Sequence, residues 1–512
     1  MILENKTFNE TLFELHNFSN TPELFIGYSL LQLSLYSVTV HYLRKNKSYI
    51  ALPNYYFSGF FIFILALALL INEDTAIQTS NLFSSFNCMI FNDYLSFFPK
   101  SVICFTITVF FLSLQFNKTK LSLSNSFEYV SFIIASSLGS IILCSAGDLI
   151  TVYLAIELQS ISFYLMASSK KNSNYSIDSG LKYFIVGAFS STFFLLGSSF
   201  VYFSCGTLNL NELHIILSLL SNSQLDLNTN VLGFVLIFLS LLIKLSIAPF
   251  HLWSIDVYES SPSPTTYFFA VVPKIGLFIV IIRLFYYSSF SIFVPEFNSY
   301  CLVFSVASAL IGSLGGLEQR RLKSLLAYSS ISHTGYALLS FSSFSNMGVS
   351  LTLYYMIFYM VSSLCFWSVF MFLKQRTNFY NYKLNKEIGD LLLLSKSNRT
   401  LSLILALSLF SLAGIPPLVG FLIKFGVFFT AIKSSTYFVS MFIILLSLIS
   451  TFYYLRILKV IFFENHKVGK LYHPVSSNNS IFISLFAVFL IILFIKPSLI
   501  YLCCAKACFS FI

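Results

Sequence analysis

Three lysines stand inside apolar runs long enough to cross a membrane: Lys244 within Val231–Phe250, Lys274 within Tyr267–Ile282 and Lys424 within Leu401–Ile432. Each has a proline nearby: Pro249 after the first, Pro273 before the second, Pro416 and Pro417 before the third. A charge at the bilayer centre costs about 2.5–3.5 kcal/mol on insertion scales, and residues kept there at such cost mark ion and proton pathways. Glu157 adds a carboxylate inside another apolar stretch, AGDLITVYLAIELQS. A lysine alone in lipid sheds its proton, and a carboxylate beside it restores the charge. A Glu157–Lys244 pair that opens and closes would therefore act as a proton switch.

The prolines tell where the backbone opens. Pro249 has no N–H and its ring crowds the carbonyl of Leu245, four residues back. Irregular backbone at membrane depth is tolerated where it lines a cavity. Pro416 and Pro417 likewise free the carbonyls of Leu412 and Ala413. Gly420 lies one turn before Lys424 on the same helix face, leaving space beside it. Lys274 is expected to link the other two lysines. Two histidines are secondary relay candidates, because imidazole titrates near neutrality: His333 in LLAYSSISHTGY, and His251 near the end of its apolar run.

Other chemistries find no footing. There is no glycine-rich fingerprint with its acidic partner and no Walker sequence for a nucleotide. Two histidines on unrelated helices make a poor haem site. The nine cysteines form no CxxC pair. Cys503, Cys504 and Cys508 cluster in an apolar tail and read as packing. No cofactor or metal is expected.

The elements that hold these residues are membrane helices. The chain has 512 residues, 57% hydrophobic and 10% charged, where soluble domains carry about 25% charged residues. Its mean hydropathy is +0.81. A spanning helix needs about 20 apolar residues. The expected fold is an all-α polytopic membrane protein with about fourteen spans. They are placed at 24–43, 53–71, 95–116, 127–145, 148–168, 178–203, 231–253, 264–288, 298–317, 322–343, 348–374, 401–432, 435–462 and 480–503. The twelfth holds the Pro-Pro break and reads as two half-helices.

Loop charge orients the spans. Lysine and arginine follow the odd-numbered ones: Arg44, Lys45 and Lys47; Lys118 and Lys120; Lys170 and Lys171; Arg320, Arg321 and Lys323; Lys374, Arg376, Lys383 and Lys386; Lys459, Lys467 and Lys470. Glu73, Asp74, Asp148, Glu212, Asp226 and Glu296 fall on the other side. This is the positive-inside pattern, and it puts both termini on the outer side. Asp256 and Glu259 break the rule, as a local lapse or as a polar funnel at the mouth of a path. The net charge of +10 sits in short loops and is no nucleic-acid signal. The acidic N-terminus, with Glu4, Glu10 and Glu14, resembles neither a transit nor a signal peptide. The 60 phenylalanines and 30 tyrosines fit an AT-biased genome, such as an organelle's.

The arrangement repeats. Lys244 and Lys424 lie 180 residues apart (424 − 244), each on a proline-broken helix, five spans from one another. Five is odd, so the two copies are inverted, which is a transporter architecture. The same offset brings Glu157 near His333 and Lys274 near Arg456. The expected domains are 1–126 (helices 1–3), 127–288 (first five-helix repeat, helices 4–8), 298–462 (second, inverted repeat, helices 9–13) and 463–512 (loop and helix 14), with helices 7 and 12 broken.

Five strings resemble the subunit 2 family of NADH dehydrogenase (ubiquinone), respiratory complex I, which belongs to the wider antiporter-like proteins. They are AGDLITVYLAIELQS (146–160), KLSIAPFHLW (244–253) running into DVYESSPSPT (256–265), PKIGLF (273–278), LLAYSSISHTGY (325–336) and AGIPPLVGFLIK (413–424). The resemblance spans roughly residues 127–460. It implies proton translocation across the inner membrane, coupled to NADH:ubiquinone oxidoreduction done by other subunits. It implies a proton path through Glu157, Lys244, Lys274 and Lys424. It implies other membrane-arm subunits and membrane lipids as partners, with no nucleic acid. The ELQS form after Glu157 looks mitochondrial or bacterial rather than chloroplast-like, so a mitochondrial inner-membrane, organelle-encoded protein is expected. Ser260 stands where the family usually has glycine. The competing expectation is an Mrp-like sodium/proton antiporter subunit with the same site residues.

Overall fold

The computed structural model describes residues 20–509, apart from 46–53, 80–82, 87, 117–125, 171, 220–223, 288–293, 377–381, 385, 417, 465–471 and 473–474. Several loop lysines used for orientation (Lys47, Lys118, Lys120, Lys171, Lys467 and Lys470), Pro417 and the acidic N-terminus lie outside the described residues. The chain is mostly helical. Helices α1 (Thr21–Lys45), α2 (Tyr55–Thr79) and α3 (Tyr94–Phe116) come first, with a hairpin of β1 (Phe83–Ser85) and β2 (Ile90–Asn92) between the last two. Then come α4 (Ser126–Ser145), α5 (Leu149–Ala167), α6 (Asn174–Cys205) and the short α7 (Leu210–Leu219). Helix α8 (Gln224–Leu245) stops and α9 (Leu252–Ser260) follows it; α10 (Ser263–Val271) and α11 (Pro273–Ile282) run into a π-helical turn, Arg283–Tyr287. Helices α12 (Val294–Leu317), α13 (Leu322–Phe341) and α14 (Asn346–Phe372) precede a second hairpin, β3 (Lys374–Arg376) with β4 (Tyr382–Leu384). The chain ends with α15 (Leu394–Ser397), α16 (Arg399–Ala413), α17 (Val419–Lys433), α18 (Tyr437–Phe462), α19 (Ser477–Ile495) and α20 (Ser498–Phe509).

Among the described residues, eleven helices are long and apolar enough to cross a membrane. The three expected spans missing from that set hold Lys244, Lys424 and His333. The run 231–253 ends early, at Leu245, and 401–432 divides into α16 and α17. Helix α13 has full length, but its serines, Lys323 and His333 make it too polar. Those serines satisfy themselves: Ser329, Ser330 and Ser332 each donate to the carbonyl three residues back, at 2.8 Å. Away from water this is how a hydroxyl avoids an unmade hydrogen bond.

The run α10–α11 and helix α14 are enclosed by the rest of the chain over most of their length. The other helices wall them in. Their outer faces present large apolar side chains, among them Leu154, Phe203 and Phe438. Such a surface suits lipid tails, which are as apolar as the side chains that meet them.

Candidate functional site

Lys244 occupies the last turn of α8, and the helix stops one residue later. Ser246 turns through φ +57°, and Pro249 withholds an N–H. The carbonyl of Ile243 accepts from the N–H of Ser246 at 3.1 Å and from the indole N–H of Trp253 at 3.0 Å. Trp253 on α9 thus fastens the break from the far side. Pro273 opens α11, and Lys274 stands in its first turn, only 4% exposed.

A cavity of about 30 Å³ lies between the two lysines, lined also by Gln159, Ser160, Trp253 and Tyr258. About 10–15 Å³ suffices for a water molecule, so the two amines share a space that water fits. Neither Nζ has a hydrogen-bond partner among the described residues. Glu157 lies within electrostatic range of Lys244. Its Oε2 accepts from the Ser160 hydroxyl at 3.4 Å and its Oε1 has no partner among the described residues. The expected Glu157–Lys244 ion pair is therefore open in this structure.

Lys424 sits on α17 and reaches back across the Pro-Pro break. Its amine donates to the Ala413 carbonyl at 2.7 Å, one of the two carbonyls that the prolines were expected to free. Gly414 ends α16 at φ +80°, and a Cβ there would lie 2.8 Å from Lys424 Cδ. A side chain at Gly420 would collide with the carbonyl of Ser411, so the space beside Lys424 is filled by the neighbouring half-helix.

His333 stands between Lys274 and Lys424, within electrostatic range of both. Its Nδ1 is 2.6 Å from the Tyr355 hydroxyl and its Nε2 3.1 Å from that of Tyr454. The Tyr359 ring lies 5.0 Å from Lys274 Nζ and 5.2 Å from the imidazole. Tyr336 does the same on the other side, 6.0 Å from His333 and 5.3 Å from Lys424 Nζ. The structure thus gathers Glu157, Lys244, Lys274, His333 and Lys424 into one row. His251 is apart from it: its Nδ1 lies 3.1 Å from the Pro249 carbonyl within the break.

Asp256 and Glu259, the two exceptions to the loop-charge pattern, are each ion-paired. Lys182 of α6 pairs with Asp256 at 2.5 Å, and Arg321 pairs with Glu259. Each acid is matched by a cation from a neighbouring element, which explains the lapse in the loop charges. Sequence reasoning missed two further features. One is the set of tyrosines around His333; Tyr355 and Tyr359 share a face of α14 four residues apart. The other is Lys100, whose Pro-Lys dipeptide in FFPKS repeats the signature of Pro273–Lys274.

Residues 146–450 match the family described as NADH:quinone oxidoreductase/Mrp antiporter, transmembrane. The chain belongs to this family of antiporter-like membrane subunits. It is 32% identical to the NADH-ubiquinone oxidoreductase chain 2 of Oenothera berteroana over 93% of its length and 95% of that protein's. It is 37% identical to the NADH-quinone oxidoreductase subunit N of Pelagibacter ubique, covering 87% of this chain and 89% of the relative. Its fold is similar to a chain of Thermus thermophilus respiratory complex I, with TM-score 0.75, 23% identity and coverage of 94% and 98%. It is also similar to a chain of the Dietzia Mrp complex, with TM-score 0.80, 17% identity and coverage of 96% and 97%.

Proposed function

We infer that this chain is a proton-translocating membrane-arm subunit of an NADH:ubiquinone oxidoreductase, embedded as a multi-pass inner-membrane protein beside other antiporter-like subunits and lipid. Electron transfer belongs to subunits of the complex other than the antiporter-like ones. The observation that carries the reading is the row of ionisable groups joined by the Lys244–Lys274 cavity and by His333 with its tyrosines. Mrp antiporters share the fold. The two quoted relatives above 30% identity, covering 93% and 87% of the chain, bear complex I names, which favours the first reading.

Lys244 takes a proton from the positive side while Glu157 is near. When the carboxylate withdraws, as in the open arrangement here, the proton passes through the cavity to Lys274. From there it moves by His333 to Lys424, which releases it outward. The inverted-repeat reading, helices 4–8 against 9–13, has support in the packing. Helix α4 contacts α5 and α11, and α12 likewise contacts α13 and α18; α6 meets α8 as α14 meets α16. The backbone bridges Asp148–Asn209 and Arg321–Glu387 precede α5 and α13 in the same way. One joins residues of the acidic loops and the other of the basic loops, as inversion requires. Fourteen spans, with both termini outside, complete this topology.

Lys244→Ala in the intact complex should keep assembly and NADH oxidation but lose this subunit's share of the proton-to-electron ratio. Glu157→Gln should lower it, since an amide cannot hold the lysine's charge. An unchanged ratio in Lys244→Ala rules out the assigned role. Sodium-dependent acidification by the chain alone in vesicles would favour the antiporter reading.

A further inference from the structure

A second group of buried ionisable residues stands away from the lysine row. Glu23 opens α1, Glu73 lies near the end of α2 and Lys100 in the second turn of α3, so all three sit at one end of their helices. Each is at least nine-tenths buried, and Lys100 is wholly buried. Lys100 pairs with Glu23 and donates to Asn92 Oδ1 at 2.9 Å. Asn92 in turn donates to Asn20 at 2.7 Å. Glu73 lies within electrostatic range of both Lys100 and Glu23. Glu73 Oε1 and Glu23 Oε2 have no hydrogen-bond partner among the described residues.

Other groups face the cluster without changing its charge. Asp93 is matched by Arg283 at 2.8 Å, and the thiols of Cys104 and Cys144 lie within range. The count among these described residues is one unmatched carboxylate. An uncompensated charge away from water is strongly unfavourable, and a carboxylate so placed takes up a proton instead. A proton on Glu73 removes the excess and supplies a donor where the neighbouring carboxylate oxygen has none.

We propose that Glu23, Glu73 and Lys100 form a second proton-holding site, in which Lys100 and Glu23 are ion-paired and Glu73 carries one exchangeable proton. The ligand is a single hydron. The β1–β2 hairpin at this end, through Asn92, ties the site to the loop face from which the proton exchanges. The site does not depend on the lysine row.

Infrared difference spectra of the intact purified complex test it. Wild type minus Glu73→Gln should show the loss of one protonated-carboxyl C=O band per chain. Loss of carboxylate bands instead overturns the proposal. Glu23→Gln leaves Lys100 with Glu73 as its only carboxylate, so the same C=O band should vanish there too; its persistence refutes the charge count. Glu73→Gln is isosteric with the protonated acid and should assemble at wild-type level. Failure to accumulate, where Glu73→Asp accumulates, also overturns the proposal. Replacing choline chloride by sodium chloride should leave the band unchanged; its loss would make the site a sodium site.

Discussion

Gly414→Ala isolates the contact between Lys424 and the broken helix. Gly414 sits at φ +80°, where an L-residue costs about 1–2 kcal/mol. Its new Cβ would meet Lys424 Cδ at 2.8 Å and both Cε and Nζ at 3.2 Å, so the lysine must move. Moving it breaks the 2.7 Å bond to Ala413. A hydrogen bond to a charged group is worth about 1.5–3 kcal/mol, or roughly a 10–150-fold loss of the seated lysine at 1.36 kcal/mol per decade. Gly206 supplies the control, because it has φ +76° with nothing within 4 Å of a Cβ. Gly206→Ala carries the strain and spares the cation. The assay is proton uptake per NADH oxidised by the intact complex in vesicles, with uncoupled turnover measured in parallel. Gly414→Ala should lower the ratio and Gly206→Ala should not. Equal ratios in the two variants would refute the claim that the Lys424–Ala413 contact serves the path.

Further outcomes are expected. Asp256→Asn should leave the proton ratio unchanged and cost no more than about 1 kcal/mol, since the Lys182–Asp256 pair is more than half exposed; a loss of pumping would favour the funnel. Trp253→Phe removes the donor to Ile243 and should lower thermal stability of the complex by about 0.5–1.5 kcal/mol, read as a shift in melting temperature. Tyr472 donates to the Asp390 carbonyl at 2.5 Å, and burial pushes its phenol up. Its contribution is thus full below the free-tyrosine value near about 10, begins to fall as pH passes that value, and is lost by the raised one. Melting curves of Tyr472→Phe and wild type should therefore differ at neutral pH and still differ at pH about 10.

The helices and the lysine row were legible because apolar length and intramembrane charge are one-dimensional signals. Lys244, Lys274 and Lys424 announce themselves by standing where lysine is unfavourable. What joins them was not legible. The cavity needs α5, α8, α9 and α11 in place at once, and the Tyr355 and Tyr454 contacts to His333 link residues from three separate helices. Loop charge suggested a funnel at Asp256 because sequence counts charges without their partners; Lys182 lies 74 residues away. Lys100 escaped notice because it falls early in its span, where a lysine can pass for an interfacial residue.

The two ends of the lysine row are held by unlike groups. Glu157 near Lys244 is a carboxylate, which a proton can neutralise. The Ala413 carbonyl that holds Lys424 is an amide oxygen, and no physiological pH alters it. In the proposed path, control would therefore be exerted at the Glu157 terminus only, and the row would act as a rectifier with a single adjustable electrode.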